Sequence, residues 1–343
     1  MTEPRQNLFS EAQDVPTWTR NIDAIAGAFQ QAQILITAVR ANVFAQLEKP
    51  VVPADVASAL GWSERGVRML LDGLVALGLV ERDGPNYRNT AAASACLIPG
   101  APHDQTHIIT HKAGGWESWG RLEEAVRTGA AIPRESPNRS PEDLRAFILG
   151  MADIGRMNAE AMLAALDIAP YRRMLDIGGG PGTYSIAFVK AQPDMRATVL
   201  DLPDVLPIGR EQAERAGVSD KVTFIEGDLT TSDFGGPFDL ILLSNIIHSV
   251  DASTNQDVVR RAHAALEPGG MLIIKDFLLD SGRVGPAYGL IFALQMLLHT
   301  PAGDTYTIDD VAAWTDAAGF PPGRFVDLAP QSRLWIVQRK RQS

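Results

Sequence analysis

The 343-residue chain is poor in cysteine, has no surplus of basic charge and shows no internal repeat or low-complexity tract. Its one cysteine, Cys96, forms no internal disulfide, so a disulfide-stapled fold is excluded and a reducing compartment fits. Cys96 reads as a small buried residue. Lys and Arg number 31 against 41 Asp and Glu, a formal net charge of -10. That balance leaves no electrostatic footprint for nucleic acid or for an anionic membrane surface, and neither partner is expected. No apolar run approaches a membrane span, and the first residues, Met-Thr-Glu-Pro-Arg-Gln-Asn, lack the basic-then-apolar pattern of a secretory leader. A cytoplasmic location is therefore expected. With 45% hydrophobic and 21% charged residues, the composition is that of a soluble globular protein long enough for two domains.

Glycine, by contrast, is concentrated where it counts. Met174-Leu-Asp-Ile-Gly-Gly-Gly-Pro-Gly-Thr183 packs four glycines between a short apolar strand ending near Asp176 and a helix-compatible segment. Without a Cβ, glycine takes left-handed angles and lets the backbone approach a ligand, as a turn at the carboxyl end of a buried strand requires. By itself such a loop is weak, since a structural strand-to-helix turn looks the same. Further apolar strands follow: Ala197–Leu202 carrying Asp201, Val222–Asp228 ending in Gly227-Asp228, Phe238–Asn245, and Pro268–Asp276. Each delivers polar residues at its carboxyl end, where open α/β sheets bind ligands, and Asp201 stands at the spacing that offers a carboxylate to ribose hydroxyls.

Taken together, Asp176-x-Gly-Gly-Gly-x-Gly182, the Gly-Asp pair and the turn Leu266-x-Pro-Gly-Gly270 resemble the catalytic domain of class I S-adenosylmethionine-dependent methyltransferases rather than a nicotinamide dehydrogenase. The resemblance implies a Rossmann-like α/β sheet with helices on both faces. It implies S-adenosylmethionine as cofactor and S-adenosylhomocysteine as product. Asp176, Gly178, Gly180, Asp201, Leu202, Asp228, Leu229 and Ser244 would form the cofactor site. Within that set, Gly178 and Gly180 would approach the amino-acid portion, Asp201 the ribose, and Asp228 with Leu229 the adenine.

Ahead of the glycine loop the pattern changes. Residues 21–47 read as a helix with a broad buried face that includes Ile25, Phe29, Ile34, Leu35 and Phe44. Val52–Val80 reads as a helix, a turn at Gly61, a Ser63 cap and a second helix, followed by the hairpin wing Glu81–Asn89. A winged helix raises a second class, a transcriptional regulator reading DNA with the helix after Ser63. That helix offers Glu64, Arg65, Arg68 and Asp72, a balanced set and not a basic stripe. The same arrangement resembles the small-molecule O-methyltransferase family of plant phenolic, acetylserotonin and bacterial polyketide enzymes, in which this mainly α region forms the homodimer and roofs the substrate pocket. On this reading residues 1–158 are the dimerisation and substrate-roofing domain and 159–343 the catalytic domain. Arg127–Pro141 reads as an exposed loop, and Ser140-Pro-Glu-Asp as the cap of a helix running to about Leu166.

His248, just past the strand Phe238–Asn245, matches the family's catalytic histidine, and imidazole suits proton removal from a substrate hydroxyl. Asp276 matches one of its two orienting acids; the second would fall near Thr305. The chain also departs from the family in reading His248-Ser-Val where His-Asp-Trp is common, and in placing Ser244 where many relatives carry lysine. Phe147, Met151, Gln295 and His299 are candidates for the substrate pocket, core packing being the alternative for Phe147 and Met151. No metal is expected, although His248, His299 and Asp276 would, if they converged, make a two-histidine, one-carboxylate site. His107 and His111, spaced for one helical face ahead of Trp116 and Trp119, read as pocket wall or dimer contact, with metal binding the alternative. Arg121 and Arg127 read as surface arginines, contact with an anionic substrate being the alternative. The expected reaction is methyl transfer to a hydroxyl of a small, aromatic or polyketide-like metabolite. S-methylation of a thioether such as methylthiohydroxybutyrate, metal-assisted C-methylation of a keto acid, and a non-catalytic winged-helix regulator stay open.

Overall fold

The computed structural model describes residues 14–133, 140–328 and 331–341. The amino-terminal stretch read above for a leader, and 134–139 of the loop read over Arg127–Pro141, lie outside the described residues. Two compact units divide the chain after Ala113.

In the first unit, the Asp14 side chain accepts from the Thr17 amide at 3.0 Å and starts α1 (Val15–Arg40), with proline in the first turn. Asn42 is left-handed at φ 53°, which turns the chain into α2 (Val43–Gln46). Then α3 (Pro53–Leu60) stops at Gly61, whose φ of 66° favours a residue without Cβ, and Ser63 Oγ accepts from the Gly66 amide at 3.1 Å to open α4 (Glu64–Ala76). Strands β1 (Val80–Asp83) and β2 (Asn86–Asn89) pair antiparallel as the wing. Helices α5 (Ala91–Cys96) and α6 (Thr106–Gly114) follow. Phe44, Leu47, Leu71, Leu74 and Tyr87 fill the core. The Tyr87 hydroxyl donates to Asp72 at 2.6 Å, and Arg68 and Arg82 pair with that same carboxylate.

Three features of this unit differ from the sequence reading. Helix α1 begins before residue 21, and it is long and apolar enough by length and composition to cross a membrane, with only 11% of that stretch buried within the chain. Its apolar face is split, because Ile36, Ala38 and Val39 are buried whereas Ile22, Ile25 and Phe29 are exposed. Cys96 is half-buried at the end of α5.

The second unit opens with α7 (Trp116–Gly120), α8 (Leu122–Thr128) and α9 (Pro141–Ala165), the last capped by Ser140 Oγ accepting from the Asp143 amide at 3.1 Å. Strands and helices then follow, with helices between all but β5 and β6: β3 (Arg173–Ile177), α10 (Thr183–Ala191), β4 (Arg196–Asp201), α11 (Leu206–Arg215), β5 (Val222–Glu226), β6 (Phe238–Ser244), α12 (Ala252–Ala265) and β7 (Leu266–Asp276). After β7 come α13 (Ala287–His299), α14 (Ile308–Ala317) and the hairpin β8 (Arg324–Leu328) and β9 (Ser332–Gln338). The seven strands run in the order β5-β4-β3-β6-β7-β9-β8, parallel from β5 to β7, with β9 antiparallel to β7 and β8 to β9.

Both faces of this sheet are covered, which is why its strands are nearly unbroken apolar runs. Met174, Leu242 and Ile273 pack with Met162 and Phe188 on one face; Leu175, Ile241 and Ile274 pack with Val258 and Trp314 on the other. Helix α9 carries Ala159 and Met162 into the first of these cores. The division drawn from sequence at 158/159 thus cuts a helix whose apolar stripe anchors it to the sheet, whereas compactness divides the chain after Ala113. Because β3, β6 and β7 run parallel, Ile177, Ser244 and Asp276 reach the same edge, where a binding site is expected.

Candidate active site

The glycine loop joins β3 to α10. Gly178, Gly180 and Gly182 hold φ of 65°, 56° and 72°, and Gly182 is the residue from which α10 starts. Asp201, at the end of β4, accepts from the Gly180 amide through Oδ2 and from the Leu202 amide through Oδ1, both at 2.7 Å. Burial pushes its carboxyl up, and those two amides oppose the shift. Nothing stands within 4 Å of where a Cβ on Gly180 would lie, so the loop presents open backbone there. At Gly178 a Cβ would come 2.8 Å from Ile246, so the loop is packed against the segment that follows β6.

Asp176 lies beneath the loop, fully buried, its Oδ2 accepting from Ser185 Oγ at 2.8 Å while Oδ1 has no hydrogen-bond partner among the described residues. Burial pushes its carboxyl up to about 7. Along the β4 and β5 exits, Leu202, Pro203, Glu226, Gly227, Asp228 and Ser232 line a recess of about 420 Å³. Asp228 is exposed and accepts from the amide and hydroxyl of Thr230, each at 2.7 Å. Leu229 is not part of that lining; it is half-buried against the core cluster containing Phe234 and Val258.

His248 sits in a single 3₁₀ turn (Ile247–Ser249) directly after β6. Its Nδ1 lies 2.7 Å from Oδ1 of Asp276, at the end of β7. A carboxylate only accepts, so Nδ1 carries the proton and Nε2 of a neutral ring is left as the acceptor. The Phe277 amide donates to the same Oδ1 at 2.8 Å, while the buried Oδ2 has no hydrogen-bond partner among the described residues. The ring is 12% exposed and flanked by aromatics: Phe292 meets it edge-on at 4.9 Å and Phe277 stacks at 6.0 Å, with Tyr288 against both phenylalanines.

The position expected of a second acid is Thr305, which is buried and donates its hydroxyl to the Gly289 carbonyl at 3.1 Å. The adjacent Asp304 instead pairs with Arg283 at 2.9 Å. Nor do His248, His299 and Asp276 form a three-ligand metal cluster among the described residues. His248 Nδ1 faces Asp276, and His299 Nδ1 bonds the Gln295 carbonyl of its own helix at 2.9 Å. The Gln295 side chain accepts from Trp119 Nε1 at 2.7 Å. Phe147 packs in a cluster with Ile148, Val205 and Ile208, while Met151 is half-buried on the same helix. Ser244 is half-buried opposite Lys275 in the β6–β7 register. Arg121 pairs with Glu124 at 2.9 Å. His107 and His111 both lie on α6. The resemblance gave the helix Tyr288–His299 as pocket lining, but sequence reasoning did not gather Phe277, Tyr288 and Phe292 around His248, and it passed over Lys275, hidden in the apolar run Met-Leu-Ile-Ile-Lys.

Comparison with known proteins bears on both units. The chain matches the O-methyltransferase domain family over residues 123–321, which include the glycine loop, His248 and Asp276, and the O-methyltransferase dimerisation domain over 24–99. It is 32% identical over 324 residues to the tetracenomycin polyketide synthesis 8-O-methyl transferase TcmO of Streptomyces glaucescens, covering 92% of this chain and 95% of that one. It is 31% identical over 314 residues to the acetylserotonin O-methyltransferase of Bos taurus, with 86% and 90% covered. Among solved structures, human N-acetylserotonin methyltransferase in complex with SAM superposes with a TM-score of 0.86 at 25% identity, over 97% of this chain and 100% of that one.

Proposed function

The chain belongs to the O-methyltransferase family, and from that premise we propose that it moves the methyl group of S-adenosylmethionine to a hydroxyl oxygen of a small-molecule acceptor, with His248 taking the hydroxyl proton. The observation that carries the assignment of His248 is the 2.7 Å bond from its Nδ1 to Asp276, which leaves Nε2 as an acceptor beside the sheet's ligand-binding edge.

The residues present suit the cofactor. Open backbone at Gly180, the free oxygen of buried Asp176, the Asp201 carboxylate and the recess beside Leu202 and Asp228 offer, in order, room for close approach, an acceptor for an ammonium, an acceptor for ribose hydroxyls and space for a base. When bound, S-adenosylmethionine supplies an electrophilic methyl on a sulfonium sulfur and leaves as S-adenosylhomocysteine. The protein's share is to hold the acceptor oxygen in line with that methyl, to exclude water, and to receive the proton on His248. Asp276 fixes the ring's tautomer and stabilises the imidazolium that forms. Phe277, Phe292 and Tyr288 provide an apolar wall suited to a planar aromatic acceptor, in keeping with the polyketide and acetylserotonin substrates named for the relatives. The dimerisation domain supports a homodimer, and we assign the exposed Ile22, Ile25 and Phe29 of α1 to its interface. A cytoplasmic site of action fits the single cysteine.

One observation favours a second reading. With Thr305 in place of a second acid, the histidine is held by one carboxylate, and a thioether sulfur, which needs no base, would be methylated without handicap. Transfer of labelled methyl to phenols and thioethers separates the two. A neutral product whose formation falls about a hundredfold or more in His248→Ala, with cofactor affinity kept, supports O-methylation; a permanently charged sulfonium product overturns it.

A further inference from the structure

We propose, building on the assignment of His248 as base, that Lys275 is a positioning residue: its ammonium clamps Asn245 and so holds the turn that presents His248. Lys275 is fully buried on β7, between Ile274 in the core and Asp276 on the histidine. Its Nζ donates to Oδ1 of Asn245 at 2.6 Å and lies 5.6 Å from the centroid of the Tyr184 ring. An ammonium buried against a neutral amide and an aromatic face is costly, and a methionine or leucine would fill the same space without that cost. Burial pushes Lys275 down to about 8, with the neighbouring Asp276 opposing, so the side chain still carries its charge at neutral pH but with little margin.

Its partner is equally unusual. Asn245 is a non-glycine residue at φ 54°, and its amide donates to the Lys275 carbonyl at 2.8 Å. Asparagine tolerates this conformation but glycine would take it more cheaply, so the side chain has a reason to be there. Lys275 thus grips Asn245 through both backbone and side chain, at the first residue of the Asn245–His248 segment. Asp276, the next residue on β7, grips the last through Nδ1. Between them Ile246 lies against Gly178 of the glycine loop. Two adjacent residues of one strand therefore fix both ends of a four-residue turn that touches the cofactor loop and carries the base. Loosening one end lets the imidazole drift from Asp276, and misplacement of about 1 Å is enough to cost on the order of a hundredfold in rate.

The test uses Asn245→Gly, which keeps the left-handed backbone and removes the acceptor, and Lys275→Met, which keeps length and removes the charge. Each is expected to lower kcat by about tenfold or more while S-adenosylmethionine affinity, measured by calorimetry, stays within about threefold. The double variant should be no slower than the worse single one, since both remove the same bond. In a ¹H–¹⁵N spectrum of the histidine side chains, the signal that His248→Ala deletes should move in both variants, though neither touches the ring. An unmoved His248 signal, unchanged kcat, or losses that multiply in the double variant would overturn the clamp. If His248→Ala itself retains full turnover, the base assignment falls, and the His248 signal in Asn245→Gly still decides whether the clamp exists.

Discussion

Two carboxylates of the site, Asp176 and Asp276, are both buried; Asp276 meets a histidine, and Asp176 only a serine hydroxyl. Asp176 is pushed up to about 7 in the folded protein against an ordinary 3.8. The native state therefore retains a proton that the unfolded chain has already released, and stability should fall as pH rises from about 4 to about 7, then level off. Thermal unfolding followed across that range should show the slope in the parent protein without cofactor and lose it in Asp176→Asn. Equal slopes in both would contradict the assignment. For Asp276 the prediction concerns the tautomer: Asp276→Asn can donate to Nδ1 and so favour the ring form whose Nε2 bears the proton. Turnover should then drop by about a hundredfold or more with little change in cofactor affinity, and near-normal turnover would count against the orienting role.

At the scale of elements, the glycine loop is held by two different restraints. Gly178 combines φ of 65° with Ile246 at 2.8 Å from the place a Cβ would occupy, whereas Gly180 has φ of 56° and open space. Gly178→Ala should therefore weaken cofactor binding and also disturb His248 through Ile246. Gly180→Ala bears only the backbone strain, about 1–2 kcal/mol, together with the obstruction of the cofactor itself. Calorimetry and turnover measured side by side would separate them, since the first variant should lose kcat even at saturating cofactor and the second should not. The parallel strands were legible because their apolar runs end in polar residues at one edge, and the helix pair and wing because Gly61 and Ser63 mark their joints. Ser140 likewise gave the start of α9. The meeting of Phe277 with Tyr288 and Phe292 around His248 was not legible, since Phe277, just past β7, and Phe292, on α13, stand fifteen residues apart and only the tertiary fold brings their rings to 4.5 Å. Lys275 was hidden because a lysine at the end of an apolar strand ordinarily points to water, and the register opposite Ser244 was not readable from the chain.

For the whole molecule, the division of labour was readable in outline and not in its boundary. Patterning separated a helical, winged first part from a sheet-building second part. Helix α9 sets Ala159 and Met162 into a core of the sheet and Phe147 and Ile148 against Val205 and Ile208, and nothing in sequence told on which side of residue 158 it belongs. The first part was also read as burying Ile25 and Phe29, although both are exposed in the single chain, because periodicity reports an apolar face and not what covers it. If a second copy covers it, Phe29→Glu should shift the protein toward monomer in light scattering without unfolding it; an unchanged dimer would move the interface elsewhere.

Base-assisted O-methylation by His248 stands or falls on single-turnover transfer of labelled methyl from S-adenosylmethionine to a panel of phenolic and thioether acceptors, in parent and His248→Ala proteins matched for bound cofactor. Label is expected in a neutral methyl ether, formed about a hundredfold or more slowly by the variant. Label in a sulfonium product, or a methyl ether formed equally fast without the histidine, would contradict it.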